Sequence, residues 1–197
     1  MKTTLLKLAI AALLSLPIFP LQATTIQKLT FEEMVKAAEL IIEGEVDNIT
    51  MVEINEAPYT RVLLKVHDVL KGDDPGEFIE LDFLGGNLAE KSVRVSGQDI
   101  PEKGEKGFYF IERPSSRQVN PLIGWSQGHF RIRSDLKGNE YLETDIKQET
   151  LSITDNKNAA MAAKLENMKF SKKLVEKAYF SPVTPDELRD AVSAYLP

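Results

Sequence analysis

From Phe31 onward the apolar residues Phe31, Met34, Val35 and Ala38 recur at helical spacing, which marks one buried face of a helix. Thr30 predicts where that helix starts. Its hydroxyl can cap the first turn, Glu33 stands three residues on as the capping-box partner, and Leu29 and Met34 suit a hydrophobic staple. Glu32 and Glu33 also suit the positive end of a helix. At Leu40 the period becomes two: Leu40, Ile42, Gly44 and Val46 alternate with Ile41, Glu43, Glu45 and Asp47, the pattern of a half-buried strand. The phase slips at Asp47–Asn48, because Ile49 and Met51 then carry the apolar side, and this predicts a β-bulge or a strong bend. Gly44 is expected where curvature or a close neighbour leaves no room for a side chain.

A second strand is predicted from about Tyr59 to Leu70, with Val62, Leu64 and Val66 on one side and Arg61, Lys65 and His67 on the other. The run Lys71-Gly72-Asp73-Asp74-Pro75-Gly76 is a turn by composition. FIELDF follows as a third strand that hides Ile79, Leu81 and Phe83, and Gly85-Gly86-Asn87 breaks it. SVRVSG predicts a short fourth strand with Val93 and Val95 inward. GFYFIE is apolar on both faces, as a central strand covered on both sides would be. Beyond a polar loop from Arg113 to Pro121, WSQGHFRIRS and NEYLETD form a hairpin around Asp135-Leu136-Lys137-Gly138. Met161, Leu165, Met168 and Val175 fall on one helical stripe. A last helix is predicted after Thr184, with Pro185 in its first position, Glu187 completing a capping box, and Leu188, Val192 and Tyr195 inward. The series predicts an α+β, mainly β protein, built on a small antiparallel barrel or a strongly bent sheet, with an N-terminal helix and C-terminal helices.

Composition places this fold. Lys2 and Lys7 precede a short apolar run from Leu8 to Phe19, broken by Pro17, and Leu21-Gln22-Ala23 suits a small-residue cleavage site. That is the layout of a signal peptide over residues 1–23, and the run is too short for a spanning helix. The expected destination is the periplasm or the exterior, with no stable membrane insertion after cleavage. A β-rich unit over 24–150 and a helical segment over 151–197 complete the expected organisation. The chain carries 24 basic and 30 acidic residues, a net −6 that becomes −8 when Lys2 and Lys7 are removed. A field of that sign disfavours nucleic acid and anionic lipid. With no cysteine, the chain has neither disulfides nor a lipobox residue, so its stability must come from its core. Thiol chemistry and Cys-ligated zinc are excluded.

The ordered segments also resemble a known group. They run A-x-L-I-I-x-G-x-V (Ala38 to Val46), Y-T (Tyr59, Thr60), V-x-x-V-L-K-G (Val66 to Gly72), L-G-G (Leu84 to Gly86), V-x-G (Val95 to Gly97), G-E-x-x-F-Y-F (Gly104 to Phe110) and Q-G-x-F (Gln127 to Phe130). In that order they resemble a family of uncharacterised secreted bacterial proteins, over about half the chain. A more distant similarity is to the netrin-like domain of tissue inhibitors of metalloproteinases, which implies an OB-like barrel. The reactive feature of those inhibitors is a disulfide-tethered N-terminal cysteine. This chain has none, so the resemblance carries architecture and no inhibitory residue.

Candidate chemistry is sparse. His67 and His129 are both expected on the solvent side of their strands, and neither has metal-ligand spacing. No G-x-S-x-G occurs. Gly85 and Gly86 invite comparison with an anion-binding loop, but no helix follows them. They suit a corner with positive φ or a close backbone approach instead. Trp125, Gln127, His129, Arg131 and Arg133 would share one face of a strand. Such an aromatic, polar and cationic set is a plausible partner platform. Pairing of Arg131 with Glu143 and His129 with Asp145 would make the same face an ordinary charge-paired surface, and Trp125 can equally belong to the core. No cofactor, metal or catalytic residue is expected. The leading expectation is an exported, non-enzymatic module that binds another envelope or secreted protein, through the barrel surface and the loops at Gly85–Gly86 and Arg113–Pro121. The alternatives are a carboxylate- or metal-dependent hydrolase using Asp82, Glu105 or Asp99, and a structural piece of an envelope assembly.

Overall fold

A computed structural model describes residues 29–88, 90–143, 163, 165–171, 174 and 183–196. The leader over 1–23, the partner role of Asp145, and the stripe residues Met161 and Val175 lie outside the described residues.

Helix α1 (Phe31–Ala37) opens with the full capping box. Thr30 Oγ1 accepts from Glu33 N, and the Glu33 carboxylate accepts from Thr30 N. The helix ends without a glycine because Ala38 is already extended, at ψ 128°. Its last carbonyls are met by a side chain from elsewhere: Lys71 Nζ donates to the oxygens of Val35, Lys36 and Ala38 at 2.7, 3.0 and 2.6 Å. A lysine there satisfies orphan acceptors and opposes the negative end of the helix. Strand β1 (Leu40–Ile54) follows, so the change of period at Leu40 is a change of element.

Strand β2 (Ala57–Lys71) returns antiparallel to β1 across a two-residue turn in which Asn55 and Glu56 both have positive φ, 49° and 64°. The register shifts between Ile41 and Ile42, Glu43 and Gly44, and Val46 and Asn48. The last shift is the slip expected at Asp47–Asn48, and the irregularities bend the ribbon. A Cβ on Gly44 would lie 2.8 Å from the Lys65 carbonyl oxygen, which accounts for the missing side chain.

The main sheet adds β3 (Phe78–Leu84), β6 (Lys106–Ile111), β7 (His129–Ser134) and β8 (Glu140–Glu143), in the order β3-β2-β1-β6-β7-β8. It is antiparallel throughout and open, with β3 and β8 as edges. The fold is therefore mainly β with few helices, as expected, but the closed-barrel alternative is not met. The short strands β4 (Gly86–Leu88) and β5 (Lys91–Val93) form a separate ribbon. It leaves the end of β3 through Gly85 and Gly86, both at positive φ (117° and 125°). Thr60 Oγ1 donates to the Gly85 carbonyl oxygen and fixes that corner.

Each face of the sheet has its own core. Ile41, Phe108, Phe110, Phe130, Ile132 and Leu142 point to the helical side, where Phe31, Met34 and Val35 of α1 cover them. Leu165, Met168 and Phe170 and helix α2 (Pro185–Ser193) join the same core. Thr184 and Glu187 form the second capping box, and Leu188 and Val192 are fully buried. The opposite face holds Leu40, Ile42, Val46, Val62, Leu64, Leu81, Phe83, Tyr109, Ile111 and Leu122. Strand β6 contributes Phe108 and Phe110 to one core and Tyr109 and Ile111 to the other, as a central strand apolar on both faces must. Each such side chain, fully buried, stabilises by about 1.5–3 kcal/mol before entropy is counted.

Candidate functional site

Odd-numbered residues of β7 continue the second face of the sheet, but past Tyr109 that face turns from apolar to charged. His129 is the direct partner of Tyr109 across β6 and β7, and their rings stack with centroids 4.7 Å apart. Gly107 makes room for this arrangement, since a Cβ there would lie 3.0 Å from His129 Nε2 and 2.7 Å from the Phe130 carbonyl oxygen. Next along the strand, Arg131 Nε donates to Glu105 Oε2 at 2.7 Å, and a terminal guanidinium nitrogen reaches Asp99 Oδ2 at 2.5 Å. Arg133 stands 3.6 Å from Glu105 and bonds Glu143 at 3.0 Å. Two carboxylates, Asp99 and Glu105, thus face two guanidinium groups.

These groups are covered. The side chains of His129, Glu105 and Arg131 are 1%, 4% and 8% exposed, and Asp99, at 21%, forms the outer wall. His129 lies 3.4 Å from Glu105 Oε1 through Nε2 and 3.9 Å from Asp99 Oδ2 through Nδ1. Among the described residues, neither ring nitrogen makes a hydrogen bond, nor does Glu105 Oε1. Burial lowers the histidine pKa from its ordinary value, against the pull of Asp99 and Glu105 toward the charged form. The ring is therefore neutral near pH 7. Burial, followed by the nearby Glu105, raises the Tyr109 hydroxyl well above its usual range, and it donates to the Glu105 carbonyl oxygen at 3.3 Å. A neutral imidazole beside a carboxylate is acid–base chemistry in principle. Here its components are buried, with Asp99 and Glu105 against them. Among the described residues, no three His, Asp or Glu side chains converge as a metal-binding group.

The structure divides the expected Trp125–Arg133 platform. Trp125 and Gln127 belong to a 3-10 turn (Trp125–Gly128), because Gly124 and Trp125 both take positive φ and interrupt the strand. Gln127 turns back, accepting from Leu29 N and donating to the Gly124 carbonyl oxygen. His129 and Arg131 are buried rather than solvent-facing, whereas Arg133 and His67 are exposed. Arg131 and Glu143 are in register as expected. The Glu45 carboxylate lies 3.7 Å from His67 and 4.0 Å from Lys106, while Glu43 pairs with Arg189 of α2. Arg189 also stands over the Phe108 ring, 5.6 Å from its centroid.

A second polar region lies beside β3. Arg61 grips Asp82 through two hydrogen bonds of 2.7 and 2.9 Å and reaches Glu80 at 3.0 Å. The loop from Arg113 to Gln118 stands over Glu80, Leu81 and Asp82, and a hollow of about 130 Å³ separates the two. Leu84 N donates to the Val119 carbonyl oxygen at 2.9 Å and joins the far end of this loop to the strand. The side-chain nitrogen of Gln118, which lines the hollow, is enclosed without a hydrogen-bond partner. Of the carboxylates considered for catalysis, Asp82 is engaged by Arg61, and Asp99 and Glu105 by Arg131. The chain matches no protein-family model and no curated protein.

Proposed function

We propose that this chain is an exported, non-enzymatic binding module whose partner is another envelope or secreted protein. The observation that carries the reading is the engagement of Asp82, Asp99 and Glu105 by arginines, with Glu105 and His129 closed off from any substrate. Groups held that way define a shape and a local charge balance rather than turn over a substrate. The surfaces left for a partner include the loop from Arg113 to Pro121 and the Gly85–Gly86 corner, both expected from the sequence. Export is supported by the Lys2, Lys7 and Leu8–Phe19 pattern, and the ordered motifs from Ala38 to Phe130 support kinship with secreted bacterial proteins.

The test uses the chain as isolated from the cells that make it. Mass spectrometry of its N-terminus is expected to read Thr24. Crosslinking from a photoreactive residue at Val119 is expected to give one saturable protein adduct, absent when the reactive residue replaces Lys137 at the distant hairpin tip. Reproducible hydrolytic turnover that disappears in Glu105→Gln, with the fold intact by circular dichroism, would sink the reading.

A further inference from the structure

The direction of the unused backbone groups on β3 follows from two hydrogen bonds. Val66 N donates to the Glu77 carbonyl oxygen, and Leu84 N donates away from β2, to Val119. In an antiparallel pair, bonded and non-bonded positions alternate. Phe78, Glu80, Asp82 and Leu84 therefore turn their N–H and C=O groups outward, while Ile79, Leu81 and Phe83 bond to β2. Of the outward set, only Leu84 has a backbone partner among the described residues. The backbone groups of Glu80 and Asp82 open onto the hollow under the Arg113–Gln118 loop. That loop is tied to the fold at its ends, through Glu112 N to the Pro121 carbonyl oxygen and Leu84 N to the Val119 carbonyl oxygen. Its internal bond is Ser116 N to the Arg113 carbonyl oxygen, and Arg117 stands 3.9 Å from Asp82, beyond hydrogen-bond reach.

The side chains along this edge are unusual in two ways. Phe78 and Val119, at opposite ends of it, are 41% and 42% exposed, two of the three large apolar side chains so exposed among the described residues. Between them Arg61 holds Asp82 and reaches Glu80, which stays half exposed. Glu80 is 54% exposed, and Asp73, Asp74 and Glu77 lead into the strand. Asp82 is already held by Arg61, so the half-exposed Glu80 is the carboxylate that a second copy paired edge to edge would set against another carboxylate, which is destabilising. A basic residue would complement Glu80.

We infer that the outer edge of β3 receives an extended strand from a partner protein, basic opposite Glu80 and apolar opposite Phe78, with the Arg113–Gln118 loop swung aside. The incoming backbone takes the outward N–H and C=O groups of residues 78, 80 and 82, which is strand addition. The inference rests on the binding-module reading and names its partner class.

Synthetic peptides test it against the full chain, with backbone amide shifts and titration calorimetry as readouts. The probe alternates valine with lysine and arginine and ends in phenylalanine. One control carries glutamates in place of the basic residues, and another is N-methylated at alternate backbone nitrogens. The basic peptide is expected to bind and to shift amides of residues 78–84 and 113–119, while both controls fail. Glu80→Pro removes an outward donor without touching the ladder to β2, and Glu80→Lys reverses the charge. Each is expected to weaken binding roughly five- to tenfold. Because Glu80→Lys and the N-methylated peptide leave the β2–β3 ladder intact, the test stands even if the proline variant misfolds. Equal binding of the N-methylated peptide, or shifts confined to another surface, would overturn strand addition and leave the binding-module reading standing. Dimerisation of the chain that Glu80→Pro abolishes would also overturn it, by making a second copy the occupant. Turnover dependent on Glu105 would remove both.

Discussion

Arg131 and Glu105 meet at 2.7 Å where both side chains are nearly dry. Removing one partner strands a buried charge, so Arg131→Met is expected to destabilise the protein by about 3–5 kcal/mol. Combining it with Glu105→Leu should recover most of that loss. Urea unfolding of the two single variants and the double variant measures the coupling, and a coupling near zero would contradict the buried pair.

The neutral state of His129 makes stability depend on pH. Because burial lowers its folded pKa, the unfolded chain takes up a proton first as pH falls. The contribution of the neutral ring is complete above about pH 6.5, the unfolded value. It declines below that until the lowered folded pKa is reached, with a slope of at most about 1.4 kcal/mol per pH unit. His129→Phe keeps a ring against Tyr109 and removes the titration. The stability difference between parent and variant should change between pH 8 and pH 5. A constant difference would refute the assignment.

Gly107 has a packing role that alanine cannot fill. The added Cβ meets a backbone oxygen at 2.7 Å, which cannot retreat as a side-chain end would. Gly107→Ala is expected to cost about 1–3 kcal/mol. In the background of His129→Ala the cost should persist, since the Phe130 carbonyl remains. Thermal unfolding of the four proteins decides it.

Both capping boxes are open to the same measurement. Thr30→Ala and Thr184→Ala each remove the side-chain acceptor of a backbone N–H and should cost about 1 kcal/mol apiece. Their effects should add if the helices are held independently. Denaturant midpoints of the single and double variants check this.

What the sequence made legible was local. Thr30 with Glu33, Thr184 with Glu187, the change of period at Leu40 and the slip near Asp47 each lie within a few residues of their cause. The β1–β2 turn escaped notice because Asn55-Glu56 lacks the glycine that usually marks positive φ there. The alternation gives His129 its correct parity but the wrong side of the solvent boundary. Alternation assigns a face, and only the distant Asp99 and Glu105, which meet His129 and Arg131 in the fold, show that this face is buried. The same limit applied to Arg131. Asp99 and Glu105 stand out in the sequence as carboxylates, but nothing local shows that one guanidinium holds both. Trp125 and Gln127 fit the strand pattern until Gly124, whose left-handed turn no periodicity reveals.

Lys71 gives helix α1 an order of events as well as a position. The helix is the first described element to leave the ribosome, and at seven residues it is too short to persist alone. The ammonium that closes its carbonyl end comes 33 residues after Ala38, at the last position of β2. Until that strand has folded back along β1, the latch is missing. Pairing of β2 along β1 and closure of the carbonyl end of α1 are therefore coupled, and whatever disturbs the hairpin at Lys71 also unlatches the helix.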